Sequence, residues 1–335
     1  MHKYAGTDKG SALEFRYSYL GDGSAVRLTA IPLLGLGILI SATACADRIP
    51  AYFIAENFMW ASRAQNGVIH KLSWLYGEVS LRPDLKVVGS YLDFPQSSGP
   101  YRTLDEAFVE WQPAGYVIRA GRIRPRIGFG DWSELMYSPI NSFPLARTQP
   151  MSANASVPGF SSGVDILGGP ANLQVQLGLV QLNPDDWQIA PRHLNVAVAR
   201  AQISVGDALV GVNAMGKIRG NTDGSQIAGL DLLWAKEGWQ VRGELFKGIG
   251  KGPTGQGAHL DVSYRPKGFH RTQLAARTDH YRNLAGNSVL LNTLGVRQIL
   301  SKEFVATLNY SWGSKAAPTE KMRGWSLKFM TAIRF

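Results

Sequence analysis

Four arginines, Arg119, Arg122, Arg124 and Arg126, crowd one short segment, and the acids Asp131 and Glu134 follow almost at once. Guanidinium groups keep their charge at any working pH and present several donors in a fixed fork. A wall of such cations facing carboxylates across a gap sets up a field that sorts ions and orients polar solutes. Strict two-residue alternation puts Arg119 opposite to Arg122, Arg124 and Arg126, so all four share a face only if a bulge resets the phase. The blander reading is a rim cluster on anionic headgroups. Further charges, among them Arg242, Glu244, Asp261, Arg265, Arg277, Asp279, Lys328 and Arg334, sit on the polar sides of alternating segments. Arg242, Arg277 and Lys328 join the four arginines, Asp131 and Glu134 as candidate residues lining such a charged gap or its narrowest point.

Nothing in the sequence spells out a reaction. His70, His193, His259, His270 and His280 show no HExxH or other close ligand spacing, which argues against a metal site. No GxSxG and no phosphate-binding loop occurs, so the chain is read as non-enzymatic and without a cofactor. Cys45 is the only cysteine, so neither a disulfide framework nor a thiolate cluster can form.

The charged residues need elements to position them, and the dominant period from Ala51 onward is two. Trp325, Leu327, Phe329, Thr331, Ile333 and Phe335 share one face, against Ser326, Lys328, Met330, Ala332 and Arg334. Leu173-Val175-Leu177-Leu179 and Leu260-Val262-Tyr264 repeat the pattern. Sixteen strands are predicted, at 51–63, 68–81, 86–94, 104–112, 116–126, 161–169, 172–182, 194–205, 208–218, 226–236, 239–249, 258–265, 270–281, 288–300, 304–314 and 324–335. Most are longer than the five or six residues usual in soluble sheets and suit a tilted membrane crossing of about 9–11. Short turns such as Arg82-Pro83-Asp84, Gly206-Asp207 and Pro266-Lys267-Gly268 alternate with mostly longer loops at 64–67, 95–103, 127–160, 183–193, 219–225, 250–257, 282–287 and 315–323. That rhythm belongs to an all-β, transmembrane, antiparallel up-and-down β-barrel of about sixteen strands with a long third external loop. Trp111, Trp234, Trp239, Trp312 and Trp325 fall near strand ends, as interfacial girdles require.

Residues 1–46 read as an N-terminal extension and signal peptide, and 47–335 as the barrel. Leu28–Ala46 is apolar, follows Arg27 and ends in the small residues Ala44-Cys45-Ala46, the layout of a secretory signal. The polar stretch ahead of it suggests that translation starts near Val26. Net charge is +10. The first 46 residues contribute four basic and three acidic side chains, leaving +9 on the remainder. Such an excess suits nucleic acid, anionic membrane or anionic solutes, and secretion removes the first.

Three features resemble Gram-negative outer-membrane porins. The chain closes on Phe335 behind Ile333 and Phe329, similar to the C-terminal signal read by the barrel-assembly machinery. The strand count matches general porins. The third long loop, 127–160, is the longest, where porins fold a loop inward to narrow the pore. Ala107-Phe108-Val109-Glu110-Trp111 and Arg119-Ala120-Gly121-Arg122-Ile123-Arg124-Pro125-Arg126-Ile127-Gly128 resemble the strand pair leading to that loop in phosphate-selective porins, without their lysine-rich walls. The resemblance implies a passive channel in the bacterial outer membrane for small hydrophilic solutes, assembled as a homotrimer among outer-membrane lipid; the +9 excess predicts a weak preference for anions, and secretion leaves no nucleic-acid partner. Two other readings stay open: a non-conducting structural or adhesive barrel, and a secreted soluble β-protein that binds carbohydrate.

Overall fold

The computed structural model describes residues 51–62, 65–96, 99–128, 138–140, 144–151, 161–181, 194–219, 226–301, 304–314 and 323–334. Sixteen strands run in sequence: β1 (Ala51–Ser62), β2 (Gln65–Arg82), β3 (Leu85–Gln96), β4 (Gly99–Trp111), β5 (Tyr116–Ile123), β6 (Ser161–Gly168), β7 (Leu173–Val180) and β8 (Val196–Val205) in the first half. The second half holds β9 (Ala208–Lys217), β10 (Gln226–Lys236), β11 (Trp239–Ile249), β12 (Gln256–Tyr264), β13 (Thr272–Arg282), β14 (Ser288–Ile299), β15 (Phe304–Gly313) and β16 (Gly324–Arg334). One helical turn, α1 (Leu145–Thr148), lies between β5 and β6. Each strand pairs antiparallel with its chain neighbour, and β1 pairs with β16 from Ile54↔Arg334 to Ser62↔Ser326, closing the ring. No helix among the described residues is long and apolar enough to cross a membrane.

The predicted strands all form, with three informative differences. The stretches expected as loops at 64–67 and 95–103 are largely strand, because β2 begins at Gln65, β3 runs to Gln96 and β4 begins at Gly99. The external loops are therefore less uniformly long than the sequence rhythm suggests. Strand β5 stops at Ile123 rather than Arg126. Pro125 has no amide proton to give the ladder, the Ile127 N–H turns back to the Pro125 carbonyl at 3.0 Å, and Gly128 takes a φ of 67°. The chain leaves the sheet there.

The side chains are sorted as a membrane barrel requires. Val109, Val164, Leu177, Val212, Leu230, Leu245, Leu260, Leu294 and Leu308 are exposed on the outer surface. Asp165, Gln176, Asn213, Asp231, Glu244, His259, Arg277, Asp279 and Lys328 occupy the inward parity and are buried. A soluble fold would reverse the two, since an uncovered aliphatic belt has nowhere to hide in water. Aromatics cluster at both rims. Trp239 stacks on Tyr264 at the short-turn end (4.4 Å between centroids), and Tyr310 on Trp312 at the long-loop end (6.0 Å).

Candidate functional site: the lumen and its inward loop

The segment between β5 and β6 turns into the ring and seats itself on the opposite wall. Ile127, Ile140, Leu145, Ala146 and Met151 are almost wholly buried, and four of them join one apolar cluster with the inward-facing Phe108, Ile123, Met215, Phe246, Tyr281 and Leu291. Burying each of the large aliphatic side chains contributes roughly 1.5–3 kcal/mol. The segment 127–160 thus folds into the ring wherever it is described, and α1 packs on β12 and β13. Phe129, Trp132, Leu135, Met136, Tyr137 and Phe143 lie outside the described residues.

Polar tethers fix the position of that segment. The Arg147 guanidinium grips Glu244 of β11 through Nε and Nη2, at 2.8 and 2.6 Å. The Leu145 N–H donates to Asp279 Oδ1 of β13 (3.1 Å), and Tyr281 donates its hydroxyl proton to the Pro150 carbonyl (2.6 Å). The Gly255 N–H bonds the Met151 carbonyl at 2.7 Å, and Asn309 Nδ2 the Pro139 carbonyl at 2.8 Å. The Gly128 N–H donates to Asn213 Oδ1 at 2.8 Å. Two wall glycines make room. A Cβ at Gly257 would stand 2.7 Å from the Ala146 Cβ, and one at Gly295 would stand 2.5 Å from the Pro139 carbonyl oxygen.

The seat is a ladder of charge written by strand register. Asp231, Glu244, His259 and Asp279 are successive cross-strand partners on β10–β13. Arg242, Asp261 and Arg277 form the adjacent rung, with Asp261 held from both sides: Arg242 at 2.6 Å, and Arg277 through Nε and a second contact at 2.7 Å. His259 Nδ1 lies 3.7 Å from Glu244 Oε2. Elsewhere Arg119 makes a two-pronged pair with Asp165, Arg200 does the same with Asp231, and Lys86 sits between Glu110 (3.1 Å) and Glu78 (3.6 Å).

The arginine cluster divides. Arg119, opposite Asp165 in the β5–β6 register, faces inward beneath the Phe108 ring. Arg122, opposite Ser162, falls on the other parity and is also buried. No bulge interrupts this register, so the parity argument holds but the inward member is Arg119 rather than Arg122. Arg124, past the strand end, lies 3.9 Å from the inward Glu106. Arg126 is exposed. Arg242, Arg277 and Lys328 all face inward, and Lys328 stands opposite Thr307. Asp131 and Glu134 lie outside the described residues. The loop contact that is described has the opposite sign to the one expected: a loop cation, Arg147, meets a wall acid, Glu244. Arg147 and the loop's tethers carry no local sequence signal, because their partners lie between 85 and 170 positions away. Phe329 stacks on Phe304 (5.6 Å), Ile333 pairs with Ala55 along the backbone, and Phe335 lies outside the described residues.

No family model and no curated protein matches the chain. Solved structures do. OmpF of Salmonella typhi, in complex with daunomycin, aligns with a TM-score of 0.59 at 10% identity, covering 86% of this chain and 97% of that one. The anion-selective porin of Comamonas acidovorans gives 0.58 at 14% identity, over 85% and 98%. OmpT of Vibrio cholerae, an outer-membrane protein in its trimer form, gives 0.55 at 10%, over 86% and 99%. The chain has the porin fold. At these identities the likeness extends to architecture alone. The porin fold accounts for the ring, the inverted side-chain pattern and a loop carried inside. Among the described residues of this porin-fold chain, no group of three His, Cys, Asp or Glu side chains is placed to hold a metal.

Proposed function

We propose that the chain is a bacterial outer-membrane porin, a passive diffusion channel for small hydrophilic solutes with a weak preference for anions. The observation that carries the reading is the inverted ring, aliphatic outside and ionic within, with a folded loop across its interior. A charge facing lipid at mid-membrane costs about 2–4 kcal/mol for Arg or Lys. The inward turn of so many charges therefore makes sense around water.

The anion preference rests on how the inner charges cancel. Asp165, Asp231, Glu244 and Asp261 are each held by arginine, whereas Arg126 is exposed and carries no ion pair among the described residues. With +9 over residues 47–335, the field left over is positive. On this reading Arg119, Arg124, Arg126, Arg242, Arg277 and Lys328 line or shape the pore, with Asp131 and Glu134 at its constriction, while Arg122 stands on the other face of β5. The protein assembles as a homotrimer in outer-membrane lipid after the barrel-assembly machinery reads Phe329, Ile333 and Phe335. Planar-bilayer recording on refolded protein tests the channel. Discrete conductance steps are expected, with a reversal potential displaced toward anions in a KCl gradient.

One observation favours a second reading, a barrel whose interior is plugged. Inner-wall side chains such as Arg277, Asp279, Thr293 and Lys328 are all at most 3% exposed. Well-folded protein that inserts yet passes no current would establish that reading in place of the channel.

A further inference from the structure

Among the described turns at the short-turn rim, one stands apart. Between β12 and β13 the chain runs Pro266-Lys267-Gly268-Phe269-His270-Arg271, and 267–271 are all exposed. Phe269 is 66% exposed, the highest value for any large apolar side chain among the described residues. The backbone that presents it is braced. The Phe269 N–H returns to the Pro266 carbonyl at 3.1 Å, with Gly268 at a φ of 86°, and the Thr272 N–H bonds the Phe269 carbonyl at 2.9 Å. The Arg265 N–H donates to the Gly238 carbonyl at 2.9 Å, and the Ile299 N–H to the Arg271 carbonyl at 2.8 Å. The turn is therefore fastened to both neighbouring hairpins.

Its charge is also unlike that of its neighbours. At the same rim Arg82 lies 3.2 Å from Asp84 within one turn, and Lys236 at the end of β10 lies 3.2 Å from Asp207 of the adjacent turn, so those cations are paired. Lys267 and Arg271 carry no ion pair among the described residues, and the segment 265–272 contains no acid. Directly beside the turn stand Trp239 and Tyr264, the stacked pair of the outer aromatic girdle. Two cations that carry no ion pair among the described residues thus bracket an exposed phenyl ring beside the aromatic girdle, where headgroups are met.

We propose that this turn is a binding site for anionic phospholipid in the leaflet at the short-turn rim. Lys267 and Arg271 take the headgroup phosphate, while Phe269 enters the glycerol and upper acyl layer beside Trp239. Interfacial aromatics and juxtamembrane cations favour this arrangement independently, one through apolar transfer and the other through the negative leaflet. A soluble anionic polymer would meet the cations but would leave Phe269 in water, which is why lipid is the better fit. The proposal rests on the membrane placement given under Proposed function.

The test compares the full chain with the variant Lys267→Gln/Arg271→Gln and the variant Phe269→Ser, refolded into vesicles of equal parts phosphatidylglycerol and phosphatidylcholine. Native mass spectrometry after gentle detergent release reads the bound lipid, and bilayer conductance is recorded on the same samples. Several-fold enrichment of phosphatidylglycerol on the parent, lost in the charge variant and reduced in Phe269→Ser with conductance unchanged, is the expected result. Equal enrichment on parent and variants, or none on any, overturns the site while leaving the membrane reading standing. Failure of all three to insert overturns both. Charge-dependent co-sedimentation with purified peptidoglycan sacculi, without any lipid preference, would reassign the turn to a cell-wall contact and overturn the lipid site.

Discussion

Arginine is the working unit of the interior, and its partners decide what each copy does. Arg119, Arg147, Arg200 and Arg277 are spent on two-pronged carboxylate contacts; such pairs fix geometry as well as charge. Arg126 is exposed, and on the proposed reading it is the cation a passing anion meets. Arg126→Glu is expected to lower the anion-to-cation permeability ratio about twofold or more, following the local potential it contributes, measured as a shift in reversal potential. Arg119→Gln should instead act on folding, since breaking a buried pair on one side costs about 3–5 kcal/mol. Urea unfolding in detergent would register it. The Arg147–Glu244 contact belongs to the loop. Arg147→Gln and Glu244→Gln should each raise open-channel noise, and the double variant should be no worse than either alone, the signature of direct coupling.

At the scale of elements the loop and its wall act together. Gly257→Val places side-chain carbon where Ala146 sits, so it should push α1 inward and change conductance while the heat-modifiable mobility of the barrel persists. Excising Asp131–Pro150 should leave the ring folded, raise single-channel conductance and admit larger sugars in liposome swelling; unchanged conductance in a well-folded deletion would end the constriction reading. Much of this layer was legible beforehand. Period-two patterning located every strand because each has one lipid face and one wet face, and the length and apolar content of 127–160 announced a packed loop. What was not legible is register across that loop. A free excursion of about thirty residues leaves the β5–β6 pairing unspecified, so the Arg119–Asp165 contact could not be read. The loop's own partners are set by three-dimensional closure, not spacing. Pro125 was the missed local signal for the end of β5.

The molecule as a whole is a ring in which every strand pairs with its chain neighbour except at one seam. Its selectivity should fade with salt. Screening extends about 10 Å at 0.1 M and 3 Å at 1 M, so reversal potentials should approach zero as salt rises at a fixed gradient ratio. Deleting Phe335 should cause periplasmic accumulation or degradation, checked by fractionation, and normal outer-membrane yield would dismiss the terminal signal. The seam itself carries a different lesson. Because Ile54 lies against Arg334, the first and last strands are neighbours in space, and the place where the polypeptide is cut is arbitrary to the finished wall. Joining the end of β16 to the start of β1 by a short link and reopening the chain at Gly206–Asp207 would keep every ladder intact. Such a circular permutant changes only the order in which hairpins become available, making the β1–β16 pairing local and moving the long-range closure to β8–β9.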